Sequence, residues 1–260
     1  MRESTTPQDP RDIPDYRALF VIDMKGYSAV QSWRMTDYWG DLEGMLATAF
    51  VQSGLGSEWH DPLYRDSTGD GLILALPLAK ARLLVDPLAE NLHRLLADHD
   101  RERLASVPSI RVRMSVHVGP LPDSHRGDPI NDLCRFVASD AARDTVKVAE
   151  KHRAFVAMVL SYEAYQVIVR AGRTERLRAE DFRLTRASVD EKFAEPAWVH
   201  VPRVNGELLE AVDPWPGVGA KRVEEPVKSP CASDQPAGGV RNFGAIGSYL
   251  EQAHDFTINN

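Results

Sequence analysis

From Tyr16 to about Pro202, apolar runs of strand length alternate with amphipathic stretches of helix length, and that order leaves few folds open. "YRALFVID" reads as the first strand. A helical segment follows, in which Trp39, Leu42, Met45, Leu46, Ala49 and Phe50 recur at three-and-four spacing. "GLILALP" is a short apolar run behind a "GDG" turn and reads as one arm of a hairpin, with the other arm near "WHDPLYRDS". Residues 79–98 form a second amphipathic helix that Pro87 kinks or restarts. "SIRVRMSVHVG" alternates: Ile110, Val112, Met114 and Val116 face one way, and Arg111, Arg113, Ser115 and His117 the other. After a loop rich in Pro, Asp, His and Gly come the helical "INDLCRFVASDAAR", the strand "FVAMVLS", the helix "YEAYQVIVR" and two strand-like pieces, "DFRLTR" and "AWVHVP". Helices inserted between hairpins predict an α+β sandwich.

The ends differ in character. Residues 1–14 are polar, carry three prolines and read as a flexible leader. Residues 15–203 are the expected folded domain. Residues 204–239, rich in Pro, Gly and charge, read as a linker, and residues 240–260 as a short flexible tail. A formal net charge of −7 over 260 residues argues against broad nucleic-acid binding, which needs clustered Lys and Arg. Cys134 and Cys231 lie far apart without metal-ligand spacing, which speaks against a disulfide scaffold or a zinc site. No apolar run approaches membrane-spanning length, and the N-terminus lacks the apolar core of a signal peptide. The expectation is a cytoplasmic protein with neither a nucleic-acid nor a membrane partner.

Chemistry enters with "FVIDMKGYS", where Asp23 sits at a strand position that should still be inside. A carboxylate there is costly unless something positive meets it. Asp70 in "STGDGLIL" lies in a tight turn that opens a strand. At the ends of adjacent central strands, Asp23 and Asp70 can hold two divalent ions, which would neutralise a triphosphate and activate a hydroxyl for in-line attack. The turn Lys25-Gly26-Tyr27-Ser28 would place backbone N–H groups against phosphate oxygens, and Gly26 lets the backbone approach closely. In "GDPINDLCRF", Asn131 and Arg135 are four apart at a helix start and share one face. An amide that orients a ribose and a guanidinium that meets charge growing on a phosphoryl group make a coherent pair.

"FVIDMKGYS", "STGDGLIL", "VRMSVHVGP" and "GDPINDLCR", in this order and spacing, resemble the catalytic domain of class III nucleotidyl cyclases over residues 16–202. The resemblance implies a ferredoxin-like α+β core acting as a head-to-tail homodimer on a nucleoside triphosphate, with two Mg²⁺ or Mn²⁺ ions per site. It makes Asp23, Met24 and Asp70 the metal set of one subunit, and Asn131 and Arg135 the ribose-orienting and transition-state positions of the other. It also makes Lys192, in "VDEKFAEPAW", the triphosphate-binding lysine. The implied reaction is attack of the ribose 3′-hydroxyl on the α-phosphate, giving a 3′,5′-cyclic nucleotide and pyrophosphate.

The base-reading positions implied by the resemblance depart from the adenylate pattern. Asp66 stands four residues before Asp70, where adenylate cyclases place a lysine, and Ser124 stands seven before Asn131, where they place an aspartate. A carboxylate accepts hydrogen bonds from the ring N–H and amino group of guanine, and adenine has no matching ring donor. Uracil and cytosine also carry donors, so guanine or a pyrimidine is expected ahead of adenine. The compact domain also resembles bacterial pyrimidine cyclases of anti-phage systems.

The tail "NFGAIGSYLEQAHDFTINN" alternates small, apolar and polar residues. It suits strand addition to a protein partner and loosely resembles amyloid-like signalling motifs of bacterial immune systems. Three readings from different classes stand at this stage: an active cyclase, a catalytically silent nucleotide-binding regulator of the same fold, and an adaptor that works through its tail. His117 and His125 read as surface or loop histidines. Tyr64 reads equally as packing or base-pocket lining, and Trp33, Trp39 and Trp59 as core or dimer-interface residues.

Overall fold

A computed structural model describes residues 11–27, 31–104, 107–125, 127–209, 212 and 215. Seven strands form one sheet: β1 (Tyr16–Met24), β2 (Tyr64–Ser67), β3 (Gly71–Pro77), β4 (Val112–Pro120), β5 (Val156–Ser161), β6 (Arg183–Val189) and β7 (Phe193–His200). Their order is β2-β3-β1-β4-β5-β7-β6. The helices are α1 (Met35–Gln52), α2 (Gly56–His60), α3 (Ala81–Val85), α4 (Leu88–Glu102), α5 (Asp128–Ala138), α6 (Asp140–Lys151) and α7 (Tyr162–Tyr165), the last running on as a π-turn over Gln166–Arg170. Strand β1 lies antiparallel between β3 and β4, and β2 pairs antiparallel with the outer side of β3. The part β1-α-β2-β3-α-β4, with strands ordered β2-β3-β1-β4, is the double split-βαβ arrangement of a ferredoxin-like core. The α+β expectation holds, with β5, β7 and β6 extending the sheet.

Pleating decides which helix covers which face. Ala18, Phe20, Ile22 and Met24 alternate onto one face and pack with Leu42, Leu46, Phe50, Leu84, Leu92 and the even-numbered residues Val112, Met114 and Val116. Leu19 and Val21 point to the other face, where Leu133 and Val137 of α5 cover them together with Ile73 and Ala75. Asp23 continues this second row. The two faces are thus closed by different helices, and Asp23 emerges on the α5 side.

Several elements differ from the sequence reading. Trp59 and His60 belong to α2, because the buried Trp59 ring packs 5.0 Å from Phe50, so the hairpin arm starts only at Tyr64. The stretch "INDLCRFVASDAAR" is two helices. Ser139 adopts an extended backbone, its hydroxyl accepts from the Ala142 N–H at 3.2 Å and donates to the Phe136 carbonyl at 2.7 Å, and the chain restarts there as α6. Pro87 separates α3 from α4, as expected. His117 is buried rather than a surface residue: α5 covers the polar side of β4, the Phe136 ring lies 6.1 Å from the imidazole, and its Nδ1 lies 2.9 Å from the Ser161 hydroxyl. Trp33 is 69% exposed, Trp39 is half-buried against the core and Trp59 is within it. Val204, Leu209 and Val212 are buried with Val199 and Val201, so packing continues past residue 203. The tail, most of the linker and residues 1–10 lie outside the described residues. Among the described residues no helix is long and apolar enough to cross a membrane.

Candidate active site

The two aspartates come together because β3 runs close against β1. Gly71 pairs with Asp23, and a Cβ on Gly71 would lie 2.3 Å from the Ile22 carbonyl oxygen and 2.6 Å from Thr68 Oγ1. Only glycine permits that approach. The preceding turn uses Gly69 at φ +93, and the Met24 N–H donates to the Asp70 carbonyl at 3.0 Å. The Asp70 carboxyl faces that of Asp23. Asp23's pKa is raised above its ordinary 3.8: burial contributes most, Arg113 opposes it, and the adjoining Asp70 adds to it.

Arg113 is the residue that the sequence reading missed. It is the register partner of Asp23 on β4 and forms an ion pair with its carboxylate, both side chains being under one-fifth exposed. The alternation of "SIRVRMSVHVG" already put Arg113 on the polar face of its strand. Pairing with Asp23 depends on sheet register, which alternation alone does not contain.

The turn after Asp23 is tight, with Gly26 at φ +75. The Lys25 N–H donates to the Arg111 carbonyl at 2.8 Å, and the Lys25 ammonium pairs with Glu150 of α6 at 2.6 Å. The Met24 and Lys25 backbone donors are therefore occupied within the chain. The Tyr27 hydroxyl donates to the Met35 carbonyl at 3.1 Å. Ser28 lies outside the described residues.

Asn131 and Arg135 are exposed on α5, as their spacing predicts. They do not meet Asp23 and Asp70 within one chain. The partners of Arg135 are Asp132 and the Phe193 ring, and that of Asp23 is Arg113. Lys192 is exposed in the β6–β7 turn, and its neighbour Phe193 lies under Arg135, the guanidinium carbon being 5.6 Å from the ring centroid. Lys192 and Arg135 thus lie near one another across the Phe193 ring, apart from the Asp23–Arg113 pair.

Asp66 is exposed on β2 and accepts from the Tyr64 hydroxyl at 3.2 Å, while the Tyr64 ring stacks on His125 at 4.9 Å. Burial raises the Cys134 thiol pKa, and the charge of Asp66 adds to this. Ser124 is exposed in the turn just before His125.

Among the described residues no group of three or more His, Cys, Asp or Glu could hold a metal. The donors at hand are the two carboxylates and backbone carbonyls, all hard oxygens. That set fits Mg²⁺ or Mn²⁺, which keep waters or substrate oxygens as their remaining ligands.

No family model and no curated protein matches the sequence. Solved structures that resemble the chain include three cyclase domains. The guanylate cyclase domain of RhGC from Catenaria anguillulae in complex with GTP is 14% identical, covering 73% of this chain and 97% of that one at a TM-score of 0.46. The guanylyl cyclase Cya2 is 10% identical, covering 73% and 93%, with a TM-score of 0.46. The adenylyl cyclase CyaB from P. aeruginosa is 11% identical, covering 72% and 94%, with a TM-score of 0.43. At these scores and identities the likeness carries no argument of its own, and the chemistry has to come from the residues.

Proposed function

We propose that the chain is a nucleotidyl cyclase that converts a nucleoside triphosphate to a 3′,5′-cyclic nucleotide. The bond from O3′ to the α-phosphorus forms, the bond from that phosphorus to pyrophosphate breaks, and the hydroxyl proton is lost to solvent. The observation that carries this reading is the meeting of Asp23 and Asp70 across a strand contact that only Gly71 allows. Two Mg²⁺ or Mn²⁺ ions bound there would neutralise the triphosphate and lower the pKa of the 3′-hydroxyl.

Asp23 and Asp70 would hold the ions through their carboxylates, with the Met24 carbonyl beside them. Arg113, the ion-pair partner of Asp23, would remain beside the bound ions as a further cation for triphosphate oxygens. The Gly26–Tyr27 backbone closes on the phosphates. Asn131 orients the ribose, Arg135 meets charge developing on the α-phosphate, and Lys192 binds the triphosphate. Because no contact among the described residues of one chain joins the two sets, a complete site takes one set from each of two head-to-tail copies. Asp66 accepts from a base's ring N–H, which favours GTP, or UTP among the pyrimidine triphosphates, over ATP; CTP would meet it through its amino group alone. Use of the product as an anti-phage signal and a protein partner for the tail belong to the same proposal and rest on the sequence resemblance.

The test is turnover of ATP, GTP, CTP and UTP, each with Mn²⁺ and with Mg²⁺, and product masses read out. A cyclic product from one nucleotide, lost in Asp70→Ala with an unchanged circular dichroism spectrum, is expected. Turnover that survives Asp70→Ala, or no product from any nucleotide, overturns the proposal.

A further inference from the structure

Arg135 is restrained from two sides. Its Nη1 donates to Asp132 Oδ1 at 2.9 Å, and its guanidinium lies over the Phe193 ring. The Phe193 ring is itself fixed. It is 6% exposed and packs edge-on against Phe136, with centroids 5.2 Å apart and planes at 82°. An ordinary surface pair three residues apart on a helix has no reason to recruit a buried aromatic from another element.

The surroundings of Asp132 hold the pair closed. Asp132 lines a cavity of about 210 Å³ with His117, Glu163 and Glu195. The carboxylates repel one another: Glu195 is pushed above its ordinary pKa by burial, then by Asp132 and Glu163. Arg135 is the cation that answers Asp132 in this acidic setting. Only one of the guanidinium's five N–H donors is used by Asp132, so the rest of the planar fork stays available to phosphoryl oxygens.

We propose that Asp132 and Phe193 are positioning residues that hold Arg135 in one orientation for the charge developing on the α-phosphate. The inference rests on the role given to Arg135 above. A long side chain fixed beforehand loses no further freedom when the transition state forms, so the benefit falls on turnover rather than on substrate binding.

The full chain is assayed as wild type, Asp132→Asn, Asp132→Glu, Phe193→Leu and Arg135→Ala, with circular dichroism to confirm folding. Asp132→Asn and Phe193→Leu are expected to lower kcat about ten- to hundredfold while KM changes less than about threefold, and Asp132→Glu is expected to restore most of the loss. If Asp132→Asn keeps wild-type kcat while Arg135→Ala is inactive, the contact is an ordinary surface pair, and this inference falls while the cyclase reading stands. An Asp132→Glu variant as slow as Asp132→Asn also overturns it. If Arg135→Ala turns over like wild type, the role of Arg135 falls first and the positioning role with it. Should Phe193→Leu misfold, the Asp132 pair of variants decides alone.

Discussion

Asp23 shows how one side chain registers its surroundings. Burial and the facing Asp70 raise its pKa, and Arg113 offsets part of that rise. A carboxyl whose folded pKa is raised adds stability while protonated, below its unfolded pKa, and loses it as pH rises through the folded value. Above that value the ionised carboxylate is a standing cost that a cation can relieve. Mn²⁺ well above its Kd is therefore expected to raise the melting temperature by about 5 °C near pH 7.5. The gain should shrink as pH falls toward the raised pKa of Asp23 and be absent in Asp23→Ala. Thermal melts across pH with and without Mn²⁺ check this, and an equal Mn²⁺ shift in Asp23→Ala would count against the aspartates as ligands. Asp23 and Asp70 were legible as residue types in awkward places. Arg113 was not, because nothing local says which cation a strand carboxylate will face.

At the scale of elements, the decisive contact is the β1–β3 pairing at its Asp23 end. The missing side chain of Gly71 lets the strands close, and the Asp70 turn is carried in with them. Gly71→Ala is expected to cost about 1–3 kcal/mol of stability and to abolish most turnover by displacing Asp70. Denaturant unfolding and the nucleotide assay read the two effects separately, and a stable variant with full turnover would show the contact to be slack. "GDG" was visible as a turn, but its second glycine matters through the neighbouring strand rather than through the turn itself. Ser139 illustrates the converse. Helical periodicity ran through it, yet its hydroxyl ends one helix and caps the next.

On the scale of the whole molecule, no contact among the described residues joins the Asp23–Asp70 set to Arg135, whose partners are Asp132 and Phe193. A chain built this way should be complemented by a copy damaged in the other set. Mixing Asp70→Ala with Arg135→Ala, each inactive alone, is expected to restore about a quarter of wild-type turnover. In an equal mixture half of the dimers are mixed, and each of those has one intact site. No recovery on mixing, with dimers present by light scattering, would mean that the two sets do not share a site. Long-range placement also explains His117. Strand alternation assigned it to a polar face, and only the packing of α5 over that face buries it.

The sequence by itself determined the local matters: strand and helix periodicity, the breaks at Pro87 and the glycine turns, the carboxylates at strand ends, and the shared face of Asn131 and Arg135. These depend on residues within a turn or two of one another. Tertiary structure alone decided that Arg113 answers Asp23, that Phe193 and Asp132 converge on Arg135, and that the two sets stand apart in one chain. Those are matters of strand register and of which helix covers which face, fixed by the packing of segments up to a hundred residues apart.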